Sequence, residues 1–316
     1  MTDRAARRPD TQSMSLFESL SGIAVRRLSP ARLSALRDRY LDIRHRLAPL
    51  MRVAYGTFDA RALRMNLDQQ VGTDFQVLMV HCSVNNLAPM YTDGPLDLLK
   101  MLIDFCGQKR TLVMPAFFFG DPKYSGVRET FTQQPRFDVR RTPSQMGLLS
   151  ELFRRTKGVV CSRHPVYRVS ALGPLAPELV RGHEWAETFC GRGTPFDFMT
   201  THDTLILGIG KPFEVLTHVH HAEDVLGEAF PVPATIGAPI TMTLVDGIEE
   251  IPFTLRSRSL QWQRDMWRLR EIMEPSSLRE WKFHGVPLFA TRAAKVTESI
   301  MECAKLGRTL YVQPRP

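Results

Sequence analysis

The chain has 316 residues, of which 43% are hydrophobic and 23% are charged, and this composition excludes a disordered or fibrous protein. No apolar run approaches the roughly 18 to 20 residues that span a bilayer, no apolar signal sequence follows the N-terminal charges, and the five cysteines include no C-x-x-C pair. The formal net charge of +8 allows a nucleic acid, an acidic membrane surface or an anionic small molecule as partner. We expect a cytoplasmic protein with reduced thiols and no membrane span.

The first 58 residues predict a tail followed by a helical extension. Ser29 is an N-cap and Pro30 a first-turn proline, and the apolar side chains that follow repeat at a helical spacing. We place a boundary after this segment and predict that residues 59–316 form a single domain.

Helical segments and strands alternate from Asp59 onward. Asp59 caps the predicted helix ARALRMNLDQQ, which ends at Gly72 before FQVLMVHCS, an apolar run typical of a strand that is buried on both faces. Further strand-like runs are RTLVMPAFFF, GVVCS and DTLILGIG, and the helical segments between them include GPLDLLKMLIDFC and TPSQMGLLSELFRRT. This alternation predicts an α/β fold with a mainly parallel central sheet flanked by helices.

The pattern changes toward the C-terminus. Two β-rich runs flank Asp246 and Gly247, a dipeptide that favours a tight hairpin turn, so we expect a smaller antiparallel portion there. In the following segment, RSRSLQWQRDMWRLR, acidic and apolar residues interrupt the arginines at helical spacing, which favours a solvated helix face over a nucleic-acid surface. We expect no nucleic-acid partner.

The segment THVHHAEDV, residues 217–225, contains three histidines and two acids. In a strand, His218 and His220 would point the same way and Glu223 could complete a zinc set, as in a metal-dependent hydrolase. In a helix, His220 and Glu223 stand at i and i+3 on one face, where the carboxylate can orient one ring nitrogen and leave the other as a base. Spacing alone leaves both interpretations open, together with a pair of ordinary surface neighbours.

Polar residues also follow two of the predicted strands. His81, Cys82 and Ser83 end the first buried strand, at a turn whose backbone N–H groups could receive phosphate or carbonyl oxygens. His164 precedes Pro165 and so lies on an extended corner, either as part of a ligand site or as a structural histidine. No phosphate-binding or dinucleotide-binding glycine motif accompanies these segments.

Taken in order, six blocks of the sequence resemble the aminoglycoside 3-N-acetyltransferase family, also called the antibiotic N-acetyltransferases. The blocks are VHCSVNNL, TLVMPAF, the long run from RTPSQMG to VSALGP, GRGTPFDFM, LILGIG and THVHHAED, and the match runs from about Asp59 to Phe230. The resemblance implies an α/β fold distinct from that of the GNAT acetyltransferases. It also implies acetyl-CoA as cosubstrate and no metal.

The resemblance assigns roles to individual residues. His220, oriented by Glu223, would remove a proton from an acceptor amine that attacks acetyl-CoA directly, and an O-acetyltransferase acting on a sugar hydroxyl would use the same base. Backbone N–H groups of Ser83 and Val84 are candidates for polarising the thioester carbonyl. Segments that would line the coenzyme channel contribute His81, Cys82, Ser83, Val84, Ser144, Met146, Gly147, Ser162, Arg163 and His164.

The resemblance implies an amino sugar, an aminoglycoside or a related small molecule as acceptor, and the charge of the chain favours one that is not a polycation. Aminoglycosides are polycations, and a chain with a net charge of +8 is poorly matched to them. We expect a neutral or anionic small-molecule amine, such as an amino sugar on a nucleotide or glycan precursor, or an amino phosphonate. The family often continues with Ser or Thr after the His-Pro, where this chain has Val166, Tyr167 and Arg168. Arg168 would meet an anion, and Glu184 and Asp224 would complete the acceptor site. A homodimer is a further, open expectation.

Overall fold

A seven-stranded sheet forms the centre of the fold in a computed structural model, which describes residues 39, 43 and 46–313. The three central strands are parallel and the outer strands pair antiparallel to their neighbours, so that only β5 and β13 run against the common direction. The predicted α/β fold with a mainly parallel central sheet is confirmed. In spatial order the strands are β12 (Leu278–Phe283), β13 (Val286–Arg292), β6 (Thr204–Ile209), β1 (Val77–Cys82), β2 (Thr111–Pro115), β5 (Val169–Leu172) and β4 (Val160–Cys161).

The chain divides after Gly56 into two compact units, close to the predicted boundary at residue 58. Within the first, the described residues include helix α1 (Ala48–Tyr55), which has a proline in its first turn and ends at Gly56 with a φ of 72°. The helix predicted from Ser29 lies mostly outside the described residues. No helix in the part of the chain that the structure describes is long and apolar enough to cross a membrane.

Helices of the second unit flank the sheet. Asp59 caps the first of them as predicted, since its carboxylate accepts a hydrogen bond from the Ala62 N–H at 2.7 Å. Apolar side chains of β1 and β6 are buried on both faces of the sheet because these helices cover it. The helices are α2 (Ala60–Gln70), α3 (Val84–Leu87), α4 (Pro95–Cys106), α5 (Val127–Gln133), α6 (Leu148–Arg154), α7 (Ala176–Leu179), α8 (Pro195–Thr201), α9 (Val219–Leu226), α10 (Leu269–Ile272) and α11 (Ala293–Lys305).

Smaller sheets complete the unit. Strand β3 (Arg136–Asp138) pairs with β8 (Ile240–Asp246), which forms the predicted antiparallel hairpin with β9 (Glu249–Leu255). The turn of this hairpin is at Gly247, where φ is 68°. Two short antiparallel pairs join β7 (Ala234–Ile236) to β10 (Arg258–Leu260) and β11 (Gln263–Arg264) to β14 (Tyr311–Val312).

The segment at residues 256–270 is not the predicted helix with a solvated face. It forms β10 and β11, followed by a 3₁₀ turn at Met266–Arg268 and the start of α10. The reason is tertiary, because each strand pairs with a partner that is distant in sequence, and such pairing overrides local spacing. In this extended form Arg258 and Arg264 contact residues of α9.

Candidate active site

Helix α9 places His220 and Glu223 on one face, as the i, i+3 spacing predicts. Nδ1 of His220 lies 2.8 Å from Oε2 of Glu223. Val219 and Ala222, one residue before each, are buried in the core and hold the helix in place. The side chain of Glu223 is 5% exposed and that of His220 is 18% exposed, so the carboxylate is shielded while the imidazole reaches a cavity.

Arg264 and Tyr311 complete a cluster around this pair. The Tyr311 hydroxyl donates to Oε1 of Glu223 at 2.9 Å. Nη1 of Arg264 lies 3.0 Å from Nε2 of His220, and Nη2 lies 3.4 Å from Oε2 of Glu223. The two residues are direct partners in the β11–β14 pair, and cross-strand partners present their side chains on the same face.

The charges of the cluster favour an ionised Glu223. Burial opposes ionisation, but the nearby His220 and Arg264 and the hydrogen bonds of the carboxylate outweigh it, so the pKa of Glu223 is lowered from its ordinary value. Nη2 of Arg264 also lies 3.1 Å from Nδ1 of His220, so the guanidinium approaches both ring nitrogens and does not by itself fix the tautomer. The carboxylate of Glu223 offers only acceptors, 2.8 Å from Nδ1, so the proton of a neutral His220 lies on Nδ1. This is the tautomer that leaves Nε2 as the acceptor nitrogen of the ring.

A cavity of about 460 Å³ opens beside the cluster. Aromatic side chains form part of its wall, and the Tyr167 ring meets the His220 ring edge-on with a centroid distance of 5.8 Å. Arg258 also lines it while donating to the carbonyls of Glu223 and Gly227 at the end of α9, at 3.2 and 2.6 Å. The other lining residues are Phe189, Cys190, Asp224, Ser259, Leu260 and Trp262.

The predicted acceptor residues Asp224 and Glu184 line neighbouring cavities. Asp224 lines both the 460 Å³ cavity and a second one of about 570 Å³, and burial raises the pKa of its carboxyl. Glu184 lines a third cavity, of about 610 Å³, together with Arg163, and Nη1 of Arg163 lies 3.6 Å from its carboxylate. Gly182 lines both the second and the third cavity.

The predicted coenzyme residues His81, Ser162 and His164 are buried. Nδ1 of His164 accepts hydrogen bonds from the N–H groups of the two residues that follow Pro165, at 3.1 and 2.9 Å. Ser162 bonds through Oγ to the buried His183 at 2.9 Å. The contacts of His164 are therefore those of the structural histidine that the sequence left open.

The other predicted coenzyme residues lie at element ends. The Ser144 N–H donates to Glu151 at 2.8 Å, the Met146 N–H donates to Ser144 Oγ at 3.1 Å, and Gly147 precedes α6 with a φ of 103°. Arg163 binds Asp246 at 2.7 Å. Other residues line the cavity beside His220, so the coenzyme role of this set remains a prediction.

Two predictions about ligand contacts are wrong. Arg168 does not face an anion: it is fully buried and donates to the backbone carbonyls of Ala116, Val139 and Thr142, and burial lowers its pKa to about 10. The N–H of Ser83 is not free for a thioester oxygen, because it donates to the Ile209 carbonyl at 3.0 Å. The N–H of Val84, at the first position of α3, is still a candidate.

The side chains of residues 217–225 are not arranged as a zinc site. His218 is buried, and its Nε2 lies 2.9 Å from Thr200 Oγ1. Among residues 39, 43 and 46–313, no three His, Cys, Asp or Glu side chains are arranged to share a metal ion. A hydrolase built on His218, His220 and Glu223 is therefore not supported.

Cys82 and Cys190 hold protonated thiols. Burial raises the pKa of Cys82 to about 12. Burial and the neighbouring carboxylates raise the pKa of Cys190, which lines the cavity, well above its ordinary value. A thiol attacks as the thiolate, so neither cysteine is suited to carry an acyl group.

Comparison with known proteins identifies the family of this chain. The family model described as aminoglycoside 3-N-acetyltransferase matches residues 79–305, which include His220, Glu223 and Arg264. The chain belongs to this family. The aminoglycoside 3-N-acetyltransferase relatives include enzyme IX of Micromonospora chalcea, 28% identical over 159 residues that cover 48% of this chain and 56% of the relative. Enzyme VII of Streptomyces paromomycinus is 30% identical over 149 residues, which cover 43% of this chain and 51% of the relative.

The chain thus spans about half the length of the curated family members it matches. Solved structures of the family share its fold over a greater length. Sisomicin-bound AAC-VIa has a TM-score of 0.67 at 20% identity, covering 80% of this chain and 100% of that one. AAC-IIIb in binary complex with CoASH has a TM-score of 0.64 at 20% identity, covering 82% of this chain and 100% of that one.

Proposed function

We propose that this chain is an acetyl-CoA-dependent N-acetyltransferase that acetylates an amine of a small molecule by direct transfer. The observation that carries the proposal is the hydrogen-bonded pair of His220 and Glu223, open to a cavity of about 460 Å³, in a member of the aminoglycoside 3-N-acetyltransferase family. Supporting it, relatives are named as N(3)-acetyltransferases, and one solved structure of the same fold contains CoASH.

In the proposed reaction His220 is the general base. The amine nitrogen attacks the carbonyl carbon of the thioester, and a C–N bond forms as the C–S bond breaks. Nε2 of His220 takes the proton that the nitrogen loses, and this proton then passes to the departing thiolate so that coenzyme A leaves as the free thiol. A base positioned in this way contributes roughly 10² to 10⁴ in rate.

Glu223 orients the base and stabilises its charge. Its carboxylate is ionised because its pKa is lowered, and it receives the Nδ1 proton of His220 at 2.8 Å. When Nε2 gains a proton, the imidazolium gains an ion-pair partner that is largely shielded from water. Tyr311, at 2.9 Å from the other carboxylate oxygen, keeps Oε2 directed toward His220.

The test removes the base. His220→Ala is expected to lower turnover at least about a hundredfold while acetyl-CoA affinity stays within about twofold, because a base acts in the transition state. The measurements are coenzyme A thiol release across a panel of amines and acetyl-CoA binding by calorimetry. His202→Ala, a histidine outside the cavity lining, is the matched control. Near-normal turnover of His220→Ala would remove His220 from the mechanism.

Two further measurements separate related reactions. Glu223→Gln keeps the shape of the pair but removes its negative charge, so we expect a milder loss of turnover than in His220→Ala. Treating the purified product with alkaline hydroxylamine distinguishes a stable amide from an O-acetyl ester. An ester product would favour the O-acetyltransferase, which would use the same base.

A further inference from the structure

Arg264 occupies the nitrogen that the proposed base needs. Its Nη1 lies 3.0 Å from Nε2 of His220 and its Nη2 lies 3.1 Å from Nδ1, while Nδ1 also faces Glu223 at 2.8 Å. Both ring nitrogens therefore have partners. A guanidinium has no lone pair to offer and does not lose its proton in proteins, so it cannot relay a proton from an amine to the ring.

The imidazole is therefore capped in this arrangement, in the sense that Arg264 occupies the nitrogen that would receive a proton. For Nε2 to receive a proton, Arg264 must first move away from it, and movement of a charged group requires another partner of comparable strength. The alternatives within the cluster are already engaged: Oε1 of Glu223 accepts from Tyr311, and the Tyr311 hydroxyl accepts from Nε of Arg264. A ligand that binds Arg264 more strongly than the neutral imidazole does would therefore release Nε2.

The cavity wall favours an anion as that partner. Arg264 and Arg258 both line it, and Arg258 binds only backbone carbonyls among the contacts described above. Two carboxylates lie on the same wall, but both are engaged: Glu223 by His220, Tyr311 and Arg264, and Asp224 by the Cys190 N–H at 2.8 Å. Arg264 is 33% exposed, so a ligand can reach its outer face.

Resting on the proposed function, we propose that the acceptor amine carries a phosphate, phosphonate or carboxylate group that binds Arg264 and thereby releases Nε2 of His220. Two parallel N–H···O bonds between a guanidinium and such a group are stronger than the single bond to a neutral imidazole nitrogen. Arg258 adds a second positive charge on the same wall. A neutral or cationic amine has no group that binds Arg264 in this way, so Nε2 of His220 stays in contact with Arg264.

The first test compares glucosamine with glucosamine 6-phosphate, which differ by one phosphate. Wild type is expected to acetylate the phosphorylated amine with a kcat/KM at least about tenfold higher, the scale of a charge-assisted hydrogen bond. Arg264→Gln should lower that value at least about tenfold and bring the kcat/KM values of the two amines closer together, because the group that binds the phosphate is gone. Arg256→Gln removes the same charge from an exposed position outside the cavity lining and should keep the preference.

Equal rates with the two amines in wild type would overturn the inference. So would a preference that survives Arg264→Gln unchanged. A tenfold loss of acetyl-CoA affinity in Arg264→Gln would assign the arginine to the phosphates of the coenzyme instead, and would also overturn it.

A binding measurement separates this inference from the proposed function. If wild type releases no thiol with any amine, the proposed function fails. Calorimetric binding of glucosamine 6-phosphate and 2-aminoethylphosphonate that weakens at least about tenfold in Arg264→Gln, but not in Arg256→Gln, would still support the anion site. Absence of binding by these two compounds and by glucosaminic acid would overturn it.

Discussion

At the scale of single residues, the Tyr311 hydroxyl forms hydrogen bonds with two charged groups. It donates to Oε1 of Glu223 and accepts from Nε of Arg264, each at 2.9 Å. Burial and the adjacent Glu223 carboxylate raise its pKa, so it keeps its proton as a donor. Tyr311 is a positioning residue, because it fixes which carboxylate oxygen faces His220.

Tyr311→Phe tests this role. The change keeps the ring and removes the hydroxyl, so Glu223 loses one donor and can rotate away from His220. We expect kcat to fall about tenfold, the scale of a hydrogen bond to a charged group, with the KM for acetyl-CoA nearly unchanged. Steady-state kinetics measure both values, and an unchanged kcat would show that the carboxylate needs no second anchor.

Cys190 is the thiol that could compete with direct transfer, because it lines the same cavity as His220. Its raised pKa keeps it protonated, so we expect Cys190→Ala to retain turnover within about threefold, a change of well under 1 kcal/mol. Mass spectrometry of wild type incubated with acetyl-CoA alone should detect no acetylated protein. A stable acetyl adduct at Cys190 would replace direct transfer with a covalent route.

The residues of the cluster differ in how far sequence could predict them. Helical spacing, a local signal, predicts that His220 and Glu223 share one face, but only the family resemblance favoured a catalytic pair over a zinc site or two surface neighbours. Arg264 and Tyr311 were missed because they reach the site through the pairing of two short strands. The sequence of either strand alone does not identify the strand with which it pairs.

The same distinction applies at the scale of elements. Buried strands such as β1 and β6 and the amphipathic α4 were predicted from their apolar patterns, and the hairpin at Gly247 from its turn residues. Strands β12 and β13 were missed and residues 256–270 were predicted as helix, because their conformations depend on partners distant in sequence. The flank formed by β12 and β13 therefore escaped prediction, whereas the parallel centre of the sheet and the edge strand β4 did not.

Gly208 tests the close packing of β6 against β13. It pairs with Phe289, and a Cβ at this position would lie 2.0 Å from the Phe289 ring. Gly208→Ala is expected to lower the free energy of unfolding by about 1 to 3 kcal/mol through overpacking, measured by urea denaturation.

A double variant provides the control for this prediction. Gly208→Ala with Phe289→Leu should recover part of the loss, because the smaller side chain makes room for the methyl group. If the two changes are simply additive, the steric explanation is wrong.

At the scale of the whole molecule, buried histidines make the fold sensitive to acid. Burial lowers the pKa of His81 and of His183 to about 4, whereas an unfolded histidine titrates near 6.5. Between these values the unfolded state binds more protons than the folded state. The free energy of unfolding should therefore fall as pH drops from about 6.5 toward 4, by about 1.4 kcal/mol per pH unit for each extra proton.

His183→Gln tests this explanation through the pH dependence of the free energy of unfolding rather than through its value at one pH. Glutamine can keep hydrogen bonds to Ser162 and to the Phe189 carbonyl, the partners of His183, but it does not titrate. Urea midpoints at several pH values between 5 and 7 should decline less steeply than in wild type. His202→Gln, at a less buried histidine, should match the wild-type slope, and equal slopes for all three proteins would contradict the explanation.

The pairing of β11 with β14 also bears on the order of synthesis. A ribosome makes α9 before it makes Tyr311. A nascent chain therefore carries His220 and Glu223 without the tyrosine that positions the carboxylate. The arginine that covers the imidazole likewise lacks its strand partner until Tyr311 has been made. Competence for the proposed acyl transfer should therefore arise only after that residue is made, and chains interrupted before it would be poor consumers of acetyl-CoA.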